Sequence, residues 1–308
     1  MSRRVLVTGG AGFIASHIVD AYVERGFEVT VIDDLSSGSR ENVNRKAELV
    51  AADINSKQAI EIIRKGKFDL INHHAAQIDV RVSVKDPALD AETNVVGSLR
   101  LAQAAVENGV KKVIFASSGG AAYGEPITAP QDESHPTNPI SPYGCAKLAF
   151  DYYLGFFRAV HGLNTVSLRY GNVYGPRQRK DGEAGVVAIF GGKLFDGEPA
   201  VINGTGEQTR DYIFVGDVVR ANMAVSEQDL SGIFNVGTGV ETSVTELWDA
   251  LQKAAEIEGQ ASHAPAKPGE QMRSILDGTK LRRAAGLPDP VALDEGLPIT
   301  MEWLREKR

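Results

Sequence analysis

The chain has one cysteine, Cys145, in 308 residues. A lone thiol excludes an intrachain disulfide framework and fits a reducing, cytoplasmic compartment. Long apolar runs are also missing. None approaches the roughly 18 residues of a membrane span, so no membrane partner is expected. After Met1-Ser2-Arg3-Arg4 the apolar stretch is only Val5-Leu6-Val7, short of the roughly 7–15 residues of a signal-peptide core. It reads instead as a buried first strand. There is no extended basic run and the formal net charge is −7. That argues against nucleic acid, whose phosphates are held by clustered Lys and Arg. A phosphorylated small ligand needs only one or two well-placed cations and stays open. No internal repeat or low-complexity segment is present. What remains is an ordinary globular composition, 43% hydrophobic and 24% charged. The length suits two domains or one large one, with a sizeable core and no need of metals.

Short apolar, β-branched runs at 5–8, 29–33, 49–51, 70–73, 113–117 and 165–169 predict strands. Helical patterns lie between them at 14–25, 57–64, 91–108 and 142–160. Apolar strands alternating with helices predict an α/β fold: a Rossmann-like, doubly wound parallel sheet covered on both faces. Near residue 173 the texture changes to Gly, Pro and charge. Residues 1–172 are therefore expected to form the first domain. A helix at 217–225 and a strand at 233–236 place 213–236 back in it. Residues 173–212 and 237–308 are expected to form a smaller C-terminal lobe, loop-like at 265–277 and helical again near 295–306.

After the first strand comes Thr8-Gly9-Gly10-Ala11-Gly12-Phe13-Ile14-Ala15. It contains G-x-G-x-x-A, whose glycines permit a tight turn and a close approach of backbone to pyrophosphate. The helix that follows offers unpaired N–H groups to that anion. The second strand ends in Asp33, 21 residues after Gly12. A carboxylate there accepts from a ribose hydroxyl and repels a 2′-phosphate, which favours NAD over NADP. A plain βα turn would need none of this context.

Ser141-Pro142-Tyr143-Gly144-Cys145-Ala146-Lys147 follows a loop. Ser141 suits an N-cap and Pro142 a first helical position, so Tyr143 and Lys147 share one helix face. A lysine ammonium beside a phenol stabilises the phenolate and makes the tyrosine a general base for an alcohol. Alone, this pair reads more readily as a surface helix pair. It gains weight from Ser117-Ser118-Gly119-Gly120 at the end of the fifth strand, where α/β sheets place ligands.

The chain resembles the extended short-chain dehydrogenase/reductase family and, within it, the UDP-glucose 4-epimerase branch. The resemblance runs nearly end to end. It rests on TGGAGFIASH at 8–17, DDLSSG at 33–38, HAAQ at 74–77, Asn94, SSGGAAY at 117–123 and SPYGCAK at 141–147. LRYGNVYGPR at 168–177, GVVAIF at 185–190, RDY at 210–212 and FNVGTG at 234–239 complete it. It implies that Tyr143 is the base, Lys147 its electrostatic partner and ribose contact, and Ser118 the substrate-orienting hydroxyl. Gly9, Gly12, Phe13, Ile14, Asp33, Asp34, Ser37 and Gly38 would hold NAD, with Asp53 and Ile54 at the adenine. His74, Ala75, Ala76, Gln77, Asn94 and Ser117 would line the cofactor, and Tyr170 and Val173 pass near the nicotinamide. Asn172 and Arg210 would bind the diphosphate of a UDP-sugar. Gly185, Val186, Val187, Val201 and Asn203 would surround the uridine, with Tyr212 nearby. Lys267 and Glu270 match positions where the family usually carries Arg and Asp.

Other readings compete at some positions. Val186 and Val187 also read as plain core, and Arg210-Asp211 as a local ion pair. His73 and His74 cannot share a metal ion easily, because neighbours on a strand face opposite ways; no metal site is expected. Cys145 has no evident His base and is not read as a nucleophile. Two residues depart from the family pattern: Ala15 for the third glycine, and Lys267 for Arg, which loses bidentate phosphate geometry.

The implied reaction is a 4-epimerisation with no net redox. The sugar C4 gives its hydride to NAD and its hydroxyl proton to Tyr143, turns as a 4-keto sugar, and takes the same hydride back on the other face. UDP-glucose and UDP-galactose are the expected pair. Ser274 matches a position where some members carry a bulky Tyr, so N-acetylated sugars are expected to enter as well. Dehydratases and decarboxylases of the family need acidic groups where Gly119 and Gly120 stand. UDP-glucuronate is an alternative if Arg81 or Arg177 meets its carboxylate. A non-catalytic NAD sensor would have no need of Tyr143 and Lys147. The resemblance also implies a homodimer through helices at 91–108 and 142–160.

Overall fold

A computed structural model describes residues 3–180, 185–266 and 271–307. The chain runs β1 (Arg4–Thr8), α1 (Phe13–Glu24), β2 (Glu28–Asp33), a 3-10 turn (Arg40–Asn42), β3 (Glu48–Ala51), α2 (Lys57–Gly66), β4 (Leu70–His73), α3 (Val80–Lys85) and α4 (Pro87–Ala91). A π-helical turn (Glu92–Gly97) leads into α5 (Ser98–Glu107), β5 (Lys112–Ser118), α6 (Gly119–Tyr123), α7 (Pro142–His161), β6 (Asn164–Tyr170) and β7 (Asn172–Tyr174). Then come α8 (Val186–Asp196), β8 (Ala200–Asn203), β9 (Thr209–Arg210), β10 (Tyr212–Phe214), α9 (Val215–Glu227) and β11 (Gly232–Val236). The last elements are β12 (Thr242–Ser243), α10 (Val244–Ala255), β13 (Ala261–Ala264), β14 (Arg273–Ser274), α11 (Thr279–Ala285) and α12 (Leu293–Glu306).

Alternation along β1 builds the two faces. Val5 and Val7 enter one core and Leu6 the other, and all three are fully buried. Seven strands follow the order β11-β6-β5-β4-β1-β2-β3, with every pair parallel. One face is covered by α1 and α9 through Ile18, Val19, Tyr22, Val218 and Val225. The other is covered by α2, α5 and α7 through Ile63, Leu101, Phe150, Leu154 and Phe157. Each such side chain contributes roughly 1.5–3 kcal/mol on burial. The strand order reverses direction between β1 and β4, which opens a crevice beyond their C-terminal ends.

A third core lies in the smaller lobe, where Phe190, Leu194, Trp248, Leu251, Leu297 and Met301 join α8, α10 and α12. The lobes meet through the parallel pair β7 and β10, Tyr212 opposite Asn172. The helix and strand expected at 217–225 and 233–236 fall within α9 and β11, and β11 is an edge strand of the main sheet.

Three expectations are corrected. The single helix at 91–108 is broken into α4, a π-helical turn and α5. Asn94 inside the turn commits its amide to Gln77, well outside the helix, so a tertiary bond overrides the helical period there. The loop at 265–277 contains β14, paired with β9. The segment 237–308 does not stay in the smaller lobe, since Leu281 of α11 is buried in the first core.

Candidate active site

β1 stops at Thr8 and the chain turns through Gly9 with φ +71°. A Cβ there would stand 2.7 Å from the Ala75 nitrogen, so both conformation and space require glycine. Gly12 enters α1 extended, with no side-chain cap and no acid in the first turn. The first-turn N–H groups are therefore left for an anion. Gly38 lies against this turn, where a Cβ would come 2.8 Å from the Ala11 Cβ. Ala15 is 2% exposed and packs beside Val5 and Val7; the methyl is accommodated. Phe13 and Ile14 open the helix, half-buried.

Asp33 braces the turn. Ala11 N–H donates to Oδ2 (2.9 Å) and Leu35 N–H to Oδ1 (2.8 Å). Burial pushes its carboxyl up against these two amides, and Asp34 adds repulsion. Each oxygen keeps a lone pair for a ribose hydroxyl. Asp34 and Ser37 are exposed on the following loop, where Ser36 donates to Asp34. Asp53 is exposed and accepts from Asn55 N–H, whereas Ile54 is largely core.

β4 divides its two histidines as expected. Thr8 Oγ1 accepts N–H bonds from His74 and Ala75, both at 3.2 Å. Its hydroxyl proton is thus left for His73 Nδ1 at 2.7 Å. His73 Nε2–H then donates to Ser98 Oγ at 2.9 Å, on the α5 side. His74 turns the other way, stacks on Tyr170 and bonds its hydroxyl at 3.1 Å. Burial drives both imidazoles down to about 3, helped by the Lys147 charge, so both are neutral. This chain fixes the 74–77 backbone against Gly9. Asn94 is 2% exposed and holds Gln77 through two bonds, N–H to Oδ1 (2.9 Å) and Nδ2 to the carbonyl (2.8 Å). It therefore supports the crevice wall of Ala75, Ala76 and Gln77 from behind. Tyr170 is also bonded by Asn222 Nδ2 at 2.8 Å.

At the end of β5 the backbone alternation separates two serines. Ser117 is buried and donates to Asp151 at 3.2 Å, away from the crevice, leaving only its main chain for a cofactor. Ser118 is half-buried and caps α6, accepting weakly from Ala121 N–H at 3.4 Å. Ser141 caps α7 by accepting from Gly144 N–H at 3.1 Å, with Pro142 in the first turn. Gly144 lies so close to the Ala121 carbonyl that a side chain there would collide, which seats the Tyr143 turn beside the Ser118 turn. Lys147 is 3% exposed, donates to the Ala116 carbonyl at 2.9 Å, and sits 5.7 Å from the Tyr143 ring. Burial brings its ammonium down to about 8, against the pull of Asp151 and Asp90.

One expectation fails here. Lys147 does not bring the Tyr143 phenol towards neutrality. Burial, followed by the charge of Asp90, pushes that phenol well above its ordinary value. The lysine is spent on a main-chain carbonyl, and a further positive charge is needed to make the phenolate accessible.

The smaller lobe closes over these strand ends. Ser274 of β14 lies opposite Arg210 of β9, and Thr242 of β12 flanks Arg210 on its other side. A Cβ on Gly120 would meet Ser274 Oγ at 2.9 Å, and one on Gly119 the Leu276 side chain at 2.5 Å. A side chain at either position would have to displace Leu276 or Ser274. Ser274 Oγ and the Tyr212 hydroxyl are buried without hydrogen-bond partners. Asn172 is exposed at the lobe junction, with Val173 half-buried beside it. Gly185 opens α8 and Val186 is half-buried, but Val187 is 1% exposed in the lobe core, where the plain-core reading holds. Val201 is 44% exposed and Asn203 half-buried on β8. Lys267 and Glu270 lie outside the described residues.

Asp211 does not form the local ion pair weighed for Arg210-Asp211. Its carboxylate accepts from Thr238, Gly239 and Leu276 and so organises the loops above the site. Arg177 is bonded to Ser16 and Asp20, and Arg81 to Asp79; neither is poised for a glucuronate carboxylate. Sequence reasoning missed Asp90 and the buried Asp151–Arg169 pair (2.9 Å). Their only signal was spacing, with Asp90 four residues before Asn94 and Asp151 four after Lys147. Among the described residues no helix is long and apolar enough to cross a membrane.

Fold and site together define a dinucleotide-binding α/β protein with a Ser-Tyr-Lys constellation at the strand ends. The sequence profile of the NAD dependent epimerase/dehydratase family matches residues 5–237, and the chain belongs to that family. It is 45% identical over 310 residues to the UDP-glucose 4-epimerase of Mycolicibacterium smegmatis, covering 99% of both chains. Its structure is similar to that of the UDP-glucose 4-epimerase of Thermotoga maritima with UDP-glucose, at a TM-score of 0.96, 45% identity and 99% coverage of both. It is also similar to the Thermus thermophilus UDP-glucose 4-epimerase complex with NAD, at a TM-score of 0.93 and 44% identity, covering 98% of this chain and 99% of that one.

Proposed function

We propose that the protein is an NAD-dependent UDP-sugar 4-epimerase that interconverts UDP-glucose and UDP-galactose and admits their N-acetylated counterparts. The observation that supports this reading is that Lys147, one helical turn from Tyr143, is fixed on the Ala116 carbonyl near the end of β5, while Gly119 and Gly120 lie against Leu276 and Ser274, which an acidic side chain at either position would have to displace. The uncapped α1 and the Gly9 turn suit a dinucleotide pyrophosphate. When bound, NAD would supply a hydride acceptor and a positive charge that favours the phenolate. Ser118 orients the sugar 4-hydroxyl and Tyr143 holds its proton during the keto stage, returning it afterwards. Lys147 keeps a positive charge near the phenolate. Asp33 holds the adenosine ribose, with Asp34, Ser37, Gly38, Asp53 and Ile54 around the adenosine. Arg210 and Asn172 take the diphosphate. Gly185, Val186, Val201, Asn203 and Tyr212 would surround the uridine. Firm contacts thus fall on the UDP handle, and the sugar is free to turn.

The exposed apolar face of α7, Tyr152, Tyr153, Phe156 and Val160, with Val84 and Leu89 on α3 and α4, supports a homodimer. Sedimentation of a monomer at micromolar concentration would remove it. The single exposed thiol, Cys145, fits the reducing cytoplasm. The deciding experiment incubates purified protein with UDP-galactose, UDP-GlcNAc or UDP-glucuronate without added NAD. Conversion of the first two is expected. Turnover that appears only when stoichiometric NAD is supplied would instead identify a dehydrogenase, and inert UDP-GlcNAc would overturn the role given to the small Ser274.

A further inference from the structure

We propose that Asp90 is a positioning residue of the reaction: one oxygen of its carboxylate pins Gln77 and Asn94 behind the cofactor crevice, and the other stands buried and unpartnered as a fixed negative charge beside the Tyr143–Lys147 pair. The proposal rests on the reading of Tyr143 as the base. Asp90 is 1% exposed. Its Oδ1 accepts from Gln77 Nε2 at 2.9 Å and Asn94 Nδ2 at 3.0 Å, while Oδ2 has no hydrogen-bond partner. A buried carboxylate oxygen left in this way is costly and rare.

The local fold holds the group in place. Asp86 caps α4 by accepting from Leu89 N–H at 3.0 Å, and Pro87 begins the helix. α4 then packs across α7, which carries Tyr143 and Lys147. The charge on Asp90 raises both the Tyr143 phenol and the Lys147 ammonium. Burial pushes the Asp90 carboxyl up, against the hydrogen bond from Gln77 and the charge of Lys147. Of the other charges on the surrounding elements, Asp151 also acts on Lys147, and each of the rest is paired, exposed or neutral. Asp79 pairs with Arg81 (3.0 Å), Glu92 with Arg100 (3.0 Å) and Asp151 with Arg169 (2.9 Å). Lys85 is exposed, and His73 and His74 are neutral.

Asp90 therefore does two things that a neutral residue of the same shape would not. It adds to burial in holding a proton on Tyr143, and together with Asp151 it opposes the burial that lowers the Lys147 ammonium. Removing the charge moves both groups the same way, to lower pH. In NAD-loaded Asp90→Asn, the acid and basic limbs of the kcat/KM profile are expected to fall together by about one pH unit. Phenolate absorbance, read as the difference from Tyr143→Phe, should move with the acid limb. Asp90→Glu keeps the charge and should leave both limbs in place even where turnover falls. Asp90→Ser carries the same expectation as Asp90→Asn and serves where that variant does not fold; bound NAD and UDP affinity report an intact crevice. Limbs that stay put in the uncharged variants would reduce Asp90 to a packing residue and overturn the proposal. An active Tyr143→Phe would instead sink the reading of the base, and is scored separately.

Discussion

Lys147 is the residue whose environment makes the sharpest demand. Its ammonium is useful only while charged, and burial has brought it down to about 8. The charged form dominates below that value and is lost as pH rises through it. A basic limb near pH 8 is therefore expected in kcat/KM, while UDP binding stays flat across the same range. A rate that holds level to pH 10 would mean that the lysine charge is not needed. Tyr143 gives the complementary prediction. Phenylalanine keeps the ring between Lys147 and the substrate side but has no proton to exchange. Tyr143→Phe should lower turnover by roughly 10²–10⁴-fold and leave UDP affinity within a few-fold of the parent, checked by calorimetry. Retention of full turnover would remove Tyr143 from the mechanism.

At the scale of elements, the glycine turn shows how backbone geometry becomes binding. Gly9 combines a left-handed φ with a neighbour, the Ala75 nitrogen, that leaves no room for a Cβ. Gly9→Ala must strain the backbone, at about 1–3 kcal/mol, and push the 74–77 segment away from the crevice. The expected result is a lower melting temperature together with protein purified largely free of NAD, read from its absorbance. Full cofactor content would show that the turn tolerates a methyl. This motif, β1 and β4–β6 were legible in the sequence because the apolar strands are buried on both faces and their period is local. The break at 92–97 was not. It exists because Asn94 and Asp90 satisfy partners on Gln77, far along the chain, and no local period encodes that. The same holds for Tyr143: its spacing from Lys147 was readable, but the commitment of the lysine to the Ala116 carbonyl was not.

At the scale of the molecule, the crevice is bounded by two lobes, so retention of a cofactor depends on what ties them together. Beyond the β7–β10 pair, the segment after β7 lies across α1. His17 Nε2 donates to the Pro176 carbonyl at 2.9 Å, and burial keeps that imidazole below its ordinary value, hence neutral near pH 7. Arg177 takes a left-handed φ of +69° and reaches Asp20 at 2.7 Å and Ser16 at 3.2 Å, while Arg179 donates to the Ser37 carbonyl at 2.9 Å. These bonds fasten the chain of the second lobe to α1, whose N-terminus is uncapped, and to the loop after β2. A half-buried pair of this kind stabilises by about 1 kcal/mol, which is roughly a fivefold change in an equilibrium. In Arg177→Ala, NAD should leave roughly fivefold faster when the loaded protein is diluted into an NAD-consuming assay, with the rate of the chemical step in a single turnover unchanged. The two readouts separate a fastening from a catalytic contact. Unaltered NAD loss would show that the Arg177 contacts do not fasten the lobes, and a slowed single turnover would place Arg177 within the reacting site.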